Sequence, residues 1–541
     1  MVYGSFLDFR GGCALGTGTI VERINLYIMK RNIILFVVIA LTCGIVACYD
    51  DKGSYDYHEV NEVEVDELGD GYSMIFKKDT LKITPKLNFS MDSLNPDRYE
   101  YEWKAVPGLS NENPGGIIGT SRNLNYFIEL YPGSYSIYLK VRDKQTGLLW
   151  MNYTSLTVRT EVSRGFLLVG EDEEGYVDVD MISMPGDTIV LKSLLANNGL
   201  PPMKGARGIL YTGAYTASMD PYVKLWVMSE ERSYYVNTTT FEGDPLNTFE
   251  RMVYSSFDMP EEMNPVHFVA KSRAGAMSTN RMVVCDNGYV FMASLYSGDF
   301  YANPMNRASK TQDVLFKAYP YIFSAPGYVY GAVLYDTDDN RFLRFGTFDT
   351  YSRELSDAAG DVFPWIQPEG RMLWYAENTM DTEGGSSNGN SFALMKDTET
   401  GQFHIYKFYA YSSALKRGYY EIKSSLATDL ARAELFAFSS KRTLFMYAVG
   451  SKLYAYDYNK GYEKLYSMDM GDEITMLKFD LQADGTYNDL YVATYNSATG
   501  GTLQKYTLGT DQNTFELKPD ERCCWTGLVK VKDMDWRNST K

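Results

Sequence analysis

The chain reads as all-β: a small N-terminal β-sandwich, followed by a seven-bladed β-propeller. Three observations predict this. Tyrosine and phenylalanine number 45 and 27 among 541 residues, and both favour strands. Residues 61–160 hold short period-two stretches between turn signals, the pattern of a sandwich of about 100 residues. From Gly165 onward one unit recurs: an apolar strand, a polar turn, then a second alternating strand.

Taken in order, residues 49–60 are polar and acidic and read as a tether. Residues 81–85 are a first strand candidate. Residues 99–104 (YEYEWK) alternate and set Tyr99, Tyr101 and Trp103 on one face. Residues 123–130 follow. Pro132-Gly133 then turns the chain into the alternating stretch 134–141, and residues 148–158 close the set. Seven hairpins come next, their first strands starting at 166, 225, 283, 332, 393, 444 and 490, on average 54 residues apart. A four-stranded blade with its loops takes about 40–50 residues, so the spacing fits a propeller with some long loops. One hairpin cannot bury both its faces, and radial stacking supplies the missing contacts. Residues 527–531 lie beyond the last hairpin and are expected to pair with the strand near Phe166 and close the ring. The competing architecture is a string of further sandwiches. That would repeat every ~80–100 residues and carry more YEYEW-like stretches, which are absent after 160.

The N-terminus carries an address. Lys30 and Arg31 precede the apolar stretch 33–41, which is too short for a membrane span. Ile45-Val46-Ala47-Cys48 then resembles a lipobox, with cleavage after Ala47 and a diacylglycerol on the Cys48 thiol. A plain secretory signal with a chance cysteine is the other reading. Residues 1–28 precede the natural-looking start at Met29 and read as an upstream extension, 29–47 as the signal peptide, and 48–60 as the lipidated tether. The sandwich would occupy 61–160 and the propeller 161–541. Asp50 and Asp51, just behind the cysteine, resemble the surface-export signal of Bacteroidota lipoproteins, which would place the chain on the outer leaflet facing the medium. The alternative is an acidic tether facing the periplasm. No later segment is apolar enough to span a bilayer, so the lipid would be the only anchor.

YEYEW followed by PGSYSIYLKVRD resembles the PKD-like type of immunoglobulin-like domain. Trp103 stands as its core tryptophan, Pro132, Gly133 and Tyr135 as its turn, and Asp143 as its strand-end aspartate. The start CYDDKGSYDYHEVNEV further resembles PKD-like lipoproteins of Bacteroidota. That resemblance implies a non-catalytic, surface-exposed binding or accessory subunit beside a SusC/SusD-type TonB-dependent outer-membrane importer of oligosaccharides or oligopeptides. A surface hydrolase using funnel carboxylates and a purely structural transporter subunit are the alternatives.

Charge and motifs exclude other classes. The formal net charge is −17, which disfavours nucleic acid as a partner. Removing residues 1–47 would leave 494 residues, enough for two to four domains, and four cysteines: Cys48, Cys285, Cys523 and Cys524. That is no disulfide scaffold, and the pair Cys523-Cys524 reads as reduced and buried rather than bridged. Only His58, His267 and His404 occur, with no HExxH, GxSxG or phosphate-loop motif. Asp336 to Asn340 begins like a calcium loop, but Arg341 and Thr347 replace the required Gly and Glu, so a hairpin turn explains it better. Asp480 to Asp484 is likewise a turn. No metal, catalytic residue or cofactor beyond the Cys48 lipid is assigned. The longest polar loop, 377–390, follows Trp374-Tyr375, and Trp365 lies between Pro364 and Pro368. Trp365, Trp374 and Tyr375 are the candidate ligand platforms on a rim; the other reading is an insertion at a blade edge with a half-buried Trp.

Overall fold

The computed structural model describes residues 61–539, apart from 92–94, 109–113, 214–220, 274–275 and 310–313. Contacts divide the chain into two units, the larger comprising 63–88 and 94–541. The smaller contributes Asn61, Glu62 and 89–91, where the Ser90 amide donates to the Glu62 carbonyl at 2.9 Å.

Among the described residues, nine strands precede residue 160: β1 (Val63–Asp66), β2 (Tyr72–Ile75), β3 (Thr80–Ile83), β4 (Lys86–Phe89), β5 (Tyr99–Pro107), β6 (Gly116–Gly119), β7 (Leu124–Phe127), β8 (Gly133–Asp143) and β9 (Leu149–Arg159). The main sheet runs β2-β9-β8-β5-β6, and the pairs β1-β4 and β3-β7 complete the sandwich. Alternation puts Tyr135, Ile137, Leu139 and Val141 of β8 inward, beside a fully buried Trp103 on β5. The Trp103 indole donates to the Ser121 carbonyl at 2.9 Å, and the Tyr135 hydroxyl to the Tyr131 carbonyl at 2.8 Å. Asp143, fully buried at the end of β8, pairs with Arg98 at 2.6 Å, which holds its carboxyl well below the usual range.

The remaining strands form seven sheets. The first contains β10 (Arg164–Glu171), β11 (Val177–Ser183) and β12 (Ile189–Leu191); the second β13 (Ala206–Tyr211), β14 (Leu225–Ser229) and β15 (Tyr234–Val236). The third holds β16 (Pro265–Arg273), β17 (Ala276–Cys285) and β18 (Val290–Ser294); the fourth β19 (Gly331–Asp336), β20 (Arg341–Gly346) and β21 (Arg353–Glu354). The fifth holds β22 (Arg371–Asn378), β23 (Ser391–Asp397), β24 (Phe403–Ala410) and β25 (Ala414–Glu421); the sixth β26 (Leu435–Phe438), β27 (Leu444–Val449), β28 (Lys452–Asp457) and β29 (Lys464–Asp469). The seventh holds β30 (Glu473–Phe479), β31 (Asp489–Asn496), β32 (Gly500–Leu508) and β33 (Leu517–Leu528). The last strand, β34 (Lys530–Asn538), returns to the first sheet and pairs antiparallel with β10, Phe166 opposite Trp536.

All seven expected hairpins are present; each is the middle pair of a four-stranded sheet, except in the three-stranded second, third and fourth sheets, where it is β14-β15, β17-β18 and β19-β20. The expected closing strand is present as well, but it begins at Lys530, because Gly527 and Leu528 still belong to β33. This closure replaces the string of sandwiches with a ring.

Both faces of each middle strand are buried, which is why the sequence shows nearly unbroken apolar runs there. On β10, Leu167 and Val169 pack toward the second blade while Phe166 and Leu168 pack toward the seventh. On β14, Leu225 and Val227 face the first blade, Trp226 and Met228 the third. The same split recurs around the ring, giving an apolar cluster between each pair of neighbouring blades, the last joining the seventh to the first. In the fourth blade the innermost position is filled by residues 318–323, which touch β19 only through the bridges Ala318–Asp336 and Phe323–Val333.

Asp336 ends β19 as a turn: its Oδ1 accepts the amides of Asp338 and Asp339 at 3.0 and 3.2 Å. Asp480 does the same for Gln482 and Ala483. Cys523 is half-buried and Cys524 exposed, both free thiols on β33, so the expectation of a buried pair does not hold for Cys524. No helix among the described residues is long and apolar enough to cross a membrane.

Candidate functional site

The innermost strands enclose a cavity of about 500 Å³ along the propeller axis. Every blade contributes to its wall: Asp533 from β34, Arg207 from β13, His267 from β16, Tyr321, Glu377 from β22, Phe436 from β26 and Lys478 from β30. These residues lie up to 326 positions apart in sequence, and ring closure brings them together.

Lys478 anchors one side. Its ammonium donates to Asp533 Oδ1 and to the Met534 carbonyl, each at 2.6 Å. Burial disfavours its charge, but Asp533 and Asp535 outweigh burial and hold its pKa above the ordinary value. The other Asp533 oxygen accepts the Ile209 amide at 3.2 Å. Although protein surrounds it, Lys478 keeps 42% of its side chain accessible along the funnel.

Glu377 differs. Burial pushes its carboxyl up to about 8, against the opposing pull of the Phe438 amide (2.7 Å from Oε2), the Tyr375 hydroxyl (3.2 Å) and the Lys478 charge. Burial thus favours its protonated form. Its Oε1 takes no partner among the described residues. The Tyr375 hydroxyl also lies 3.1 Å from the Phe436 carbonyl, which fixes it beneath the carboxyl.

His267 stacks on Tyr321, ring centroids 4.0 Å apart. Its Nδ1 accepts the Ile322 amide at 3.2 Å, so the neutral ring carries its proton on Nε2. Burial, then the Lys478 charge, pulls its pKa down to about 3. Asn378 braces this wall: its amide donates to the Tyr321 hydroxyl at 2.8 Å and its side chain to the Ile322 carbonyl at 3.0 Å. Three donors thus meet at the cavity: a protonated Glu377, the His267 Nε2–H and the remaining Lys478 N–H.

The carboxylates offer little free base. Asp533 is committed to Lys478 and Ile209, and Asp480 caps a turn. Glu434 is exposed, four residues before the Phe438 amide that Glu377 accepts, about 13 Å of extended chain. Among the described residues no cluster of three His, Cys, Asp or Glu side chains is placed to hold a metal ion.

Of the residues singled out in the sequence, Ala47, Cys48, Asp50, Asp51 and His58 lie outside the described residues. Trp365 is only 3% exposed, packed edge-on against Phe342 and Phe363 between the fourth and fifth blades, so it offers no platform. Trp374 is half-buried on β22, covered by the Lys396 ammonium 4.0 Å from its ring centroid, and does not line the funnel. Tyr375 does line it. His404 is buried on β24, with Nδ1 2.9 Å from the Tyr419 hydroxyl, away from the cavity. The loop after β22 is held down by Lys407, 3% exposed, which pairs with Asp381 at 2.6 Å and with Glu383. Glu377, His267, Lys478 and Asp533 were not selected as site residues. The available signal was a lone charge inside an apolar strand, as in Leu477-Lys478-Phe479 and Tyr375-Ala376-Glu377.

Comparison with known proteins finds a similarity in the N-terminal part. Residues 48–199 match the PKD-like family. No curated protein matches the chain at a significant level. Among solved structures, a quinonprotein alcohol dehydrogenase-like protein from Bacteroides thetaiotaomicron is similar over 86% of this chain and 96% of its own, at 13% identity and a TM-score of 0.36. YCF48 from Cyanidioschyzon merolae aligns over 61% and 92%, at 10% identity and TM-score 0.32. The PKD domain of human KIAA0319 aligns over 20% of this chain and 90% of its own, at 20% identity and TM-score 0.16.

Proposed function

We propose that this chain is a lipid-anchored outer-membrane lipoprotein exposed at the cell surface, whose propeller binds a ligand in its axial funnel without cleaving it. It serves as a binding or accessory subunit beside a SusC/SusD-type TonB-dependent importer of oligosaccharides or oligopeptides. The anchor reading is supported by the order of charge, apolar stretch and lipobox before Cys48, and the PKD-like match begins at that same residue. The partner reading rests on the resemblance to PKD-like lipoproteins. Tethering a binder beside a pore raises the effective concentration of its cargo there.

The observation that carries the non-catalytic reading is the state of the funnel carboxyls. Hydrolysis of a glycosidic bond uses two carboxyls about 5–9 Å apart, one of them an ionised base or nucleophile. Here Asp533 and Asp480 are occupied by internal partners and Glu377 is protonated. Glu434, exposed at the wall, is left as a carboxylate with no ion pair among the described residues, and with it stands a set of donors suited to holding a hydroxyl- or carbonyl-rich ligand. One feature favours a hydrolase instead: a carboxyl with a pKa near 8 and one open oxygen has the character of a general acid.

Affinity purification of the full chain from the outer membrane, followed by turnover assays on glycans and peptides, separates these readings. Recovery with a TonB-dependent barrel and no turnover is expected. Turnover abolished by Glu377→Gln would establish the hydrolase, and recovery of the chain alone would remove the importer partner.

A further inference from the structure

We propose that three accessible tyrosines beside the funnel, Tyr328, Tyr330 and Tyr411, backed by the buried ring of Tyr409, form a row that is a carbohydrate platform, so that the ligand is an oligosaccharide; this deepens the binding role proposed above and rests on it. The row starts on the segment that forms the funnel wall. Ser324, Pro326 and Val329 line the cavity, and Val329 is 4% exposed. Its neighbours Tyr328 and Tyr330 point the other way, 45% and 41% exposed. The fifth blade adds Tyr409 and Tyr411 from the end of β24. Tyr409 and Tyr411 stack at 5.3 Å and 10°. Tyr411 lies 5.5 Å from Tyr330 and 6.4 Å from Tyr328, ring centroid to centroid.

The row is prearranged. The Gly327 amide donates to the Asn388 carbonyl at 2.7 Å, and the Ala325 amide to the Ala410 carbonyl at 2.9 Å. The Asn388 side chain donates to the Tyr409 hydroxyl at 2.9 Å. A Cβ at Gly331 would lie 2.4 Å from the Tyr411 carbonyl, so only glycine lets Tyr330 and Tyr411 meet. A platform already ordered loses little entropy on binding.

The hydroxyls of Tyr328, Tyr330 and Tyr411 take no partner among the described residues. Two arginines flank the row: the Arg417 guanidinium lies 5.8 Å from the Tyr409 ring, and Arg344 donates to the Ser412 carbonyl at 3.4 Å. Neither forms an ion pair with a carboxylate among the described residues. A sugar ring has an apolar C–H face and a hydroxyl periphery. It can stack on these rings and meet the free hydroxyls and guanidinium donors. Nucleic acid would also stack, but a chain of net charge −17 repels its phosphates. A proline-rich peptide would use the rings and offer its carbonyls to the donors, but its prolines carry no N–H to give to the tyrosine hydroxyls, whereas sugar hydroxyls both donate and accept.

The test exposes the full lipidated chain, in detergent, to arrays of plant, mucin and microbial oligosaccharides and of proline-rich and mixed peptides. The strongest ligand is then titrated calorimetrically. We expect an oligosaccharide to bind, and the double variant Tyr328→Ala/Tyr330→Ala to weaken it about tenfold or more. The Tyr328→Phe/Tyr330→Phe pair keeps the ring faces and loses less, about threefold. Both pairs are exposed, and an unchanged thermal midpoint verifies folding. Glycan binding indifferent to the double alanine variant would overturn the platform. Peptides bound while all glycans fail would overturn the carbohydrate class and leave the binding role standing. Failure to bind either class would overturn both.

Discussion

At Glu377 burial outweighs three favourable partners, and the sign of its pH dependence follows. Its folded pKa, about 8, lies above the ordinary carboxyl value of 4.5, so the native state keeps a proton that the unfolded chain releases. Its contribution is full below pH 4.5 and is lost as pH rises through 8. Thermal midpoints of the wild type should therefore fall from pH 5 to 9 relative to Glu377→Gln; parallel profiles would refute the assignment. His267 runs the opposite way. Its pKa is depressed to about 3, so its contribution is present above pH 6.5 and lost as pH falls toward 3. His267→Gln should flatten the acid limb of the stability profile, measured by the same melts. Phe166 tests packing at this scale. Its ring sits between Tyr491 and Trp536, at 4.8 and 4.7 Å, and is 2% exposed. Phe166→Ala should cost about 3–5 kcal/mol by denaturant unfolding. Little of the funnel was legible in the sequence. Its groups come from six strands and the segment 318–323, so no spacing links Glu377 to Lys478, and a lone charge in an apolar strand looks the same whether it faces a cavity or solvent. Trp365 misled because prolines on both sides suggest an exposed loop, whereas its ring turns inward onto Phe342 and Phe363.

The middle hairpins were legible because both their faces are buried and each is bounded by turn residues such as Asp286-Asn287-Gly288. The inner and outer strands were not. The fourth blade's inner segment, 318–323, pairs by isolated bridges, and β21 has two residues, so neither shows a period. Two elements carry testable energies. Lys407 is a buried cation between Asp381 and Glu383, and Lys407→Met leaves a 14% exposed Asp381 without its counter-charge. That should cost about 3 kcal/mol in denaturant unfolding and open the loop after β22 to proteolysis. The closing strand is the second case. β34 is paired with β10 and lies beside β13 and β30, so it holds the ring shut. Deleting 530–541 should abolish the cooperative transition in calorimetry, because it exposes the inner edge of the first blade and the seventh inter-blade cluster together.

As a whole molecule, the chain places a PKD-like sandwich before a ring whose axis gathers one group from every blade. The number of blades was readable from hairpin spacing, since each blade repeats the same burial problem. The cavity at the axis was not, because it is a property of closure and of no single repeat. On the proposed function, the funnel and the tyrosines beside it hold a ligand and leave it intact. The most direct measurement is calorimetric titration of the full chain with its strongest array ligand, followed by mass spectrometry of the recovered ligand. The account predicts saturable binding, weakened by Tyr328→Ala/Tyr330→Ala, with the ligand returned at its original mass. A shortened ligand, restored to full length when Glu377 is replaced by Gln, would contradict it.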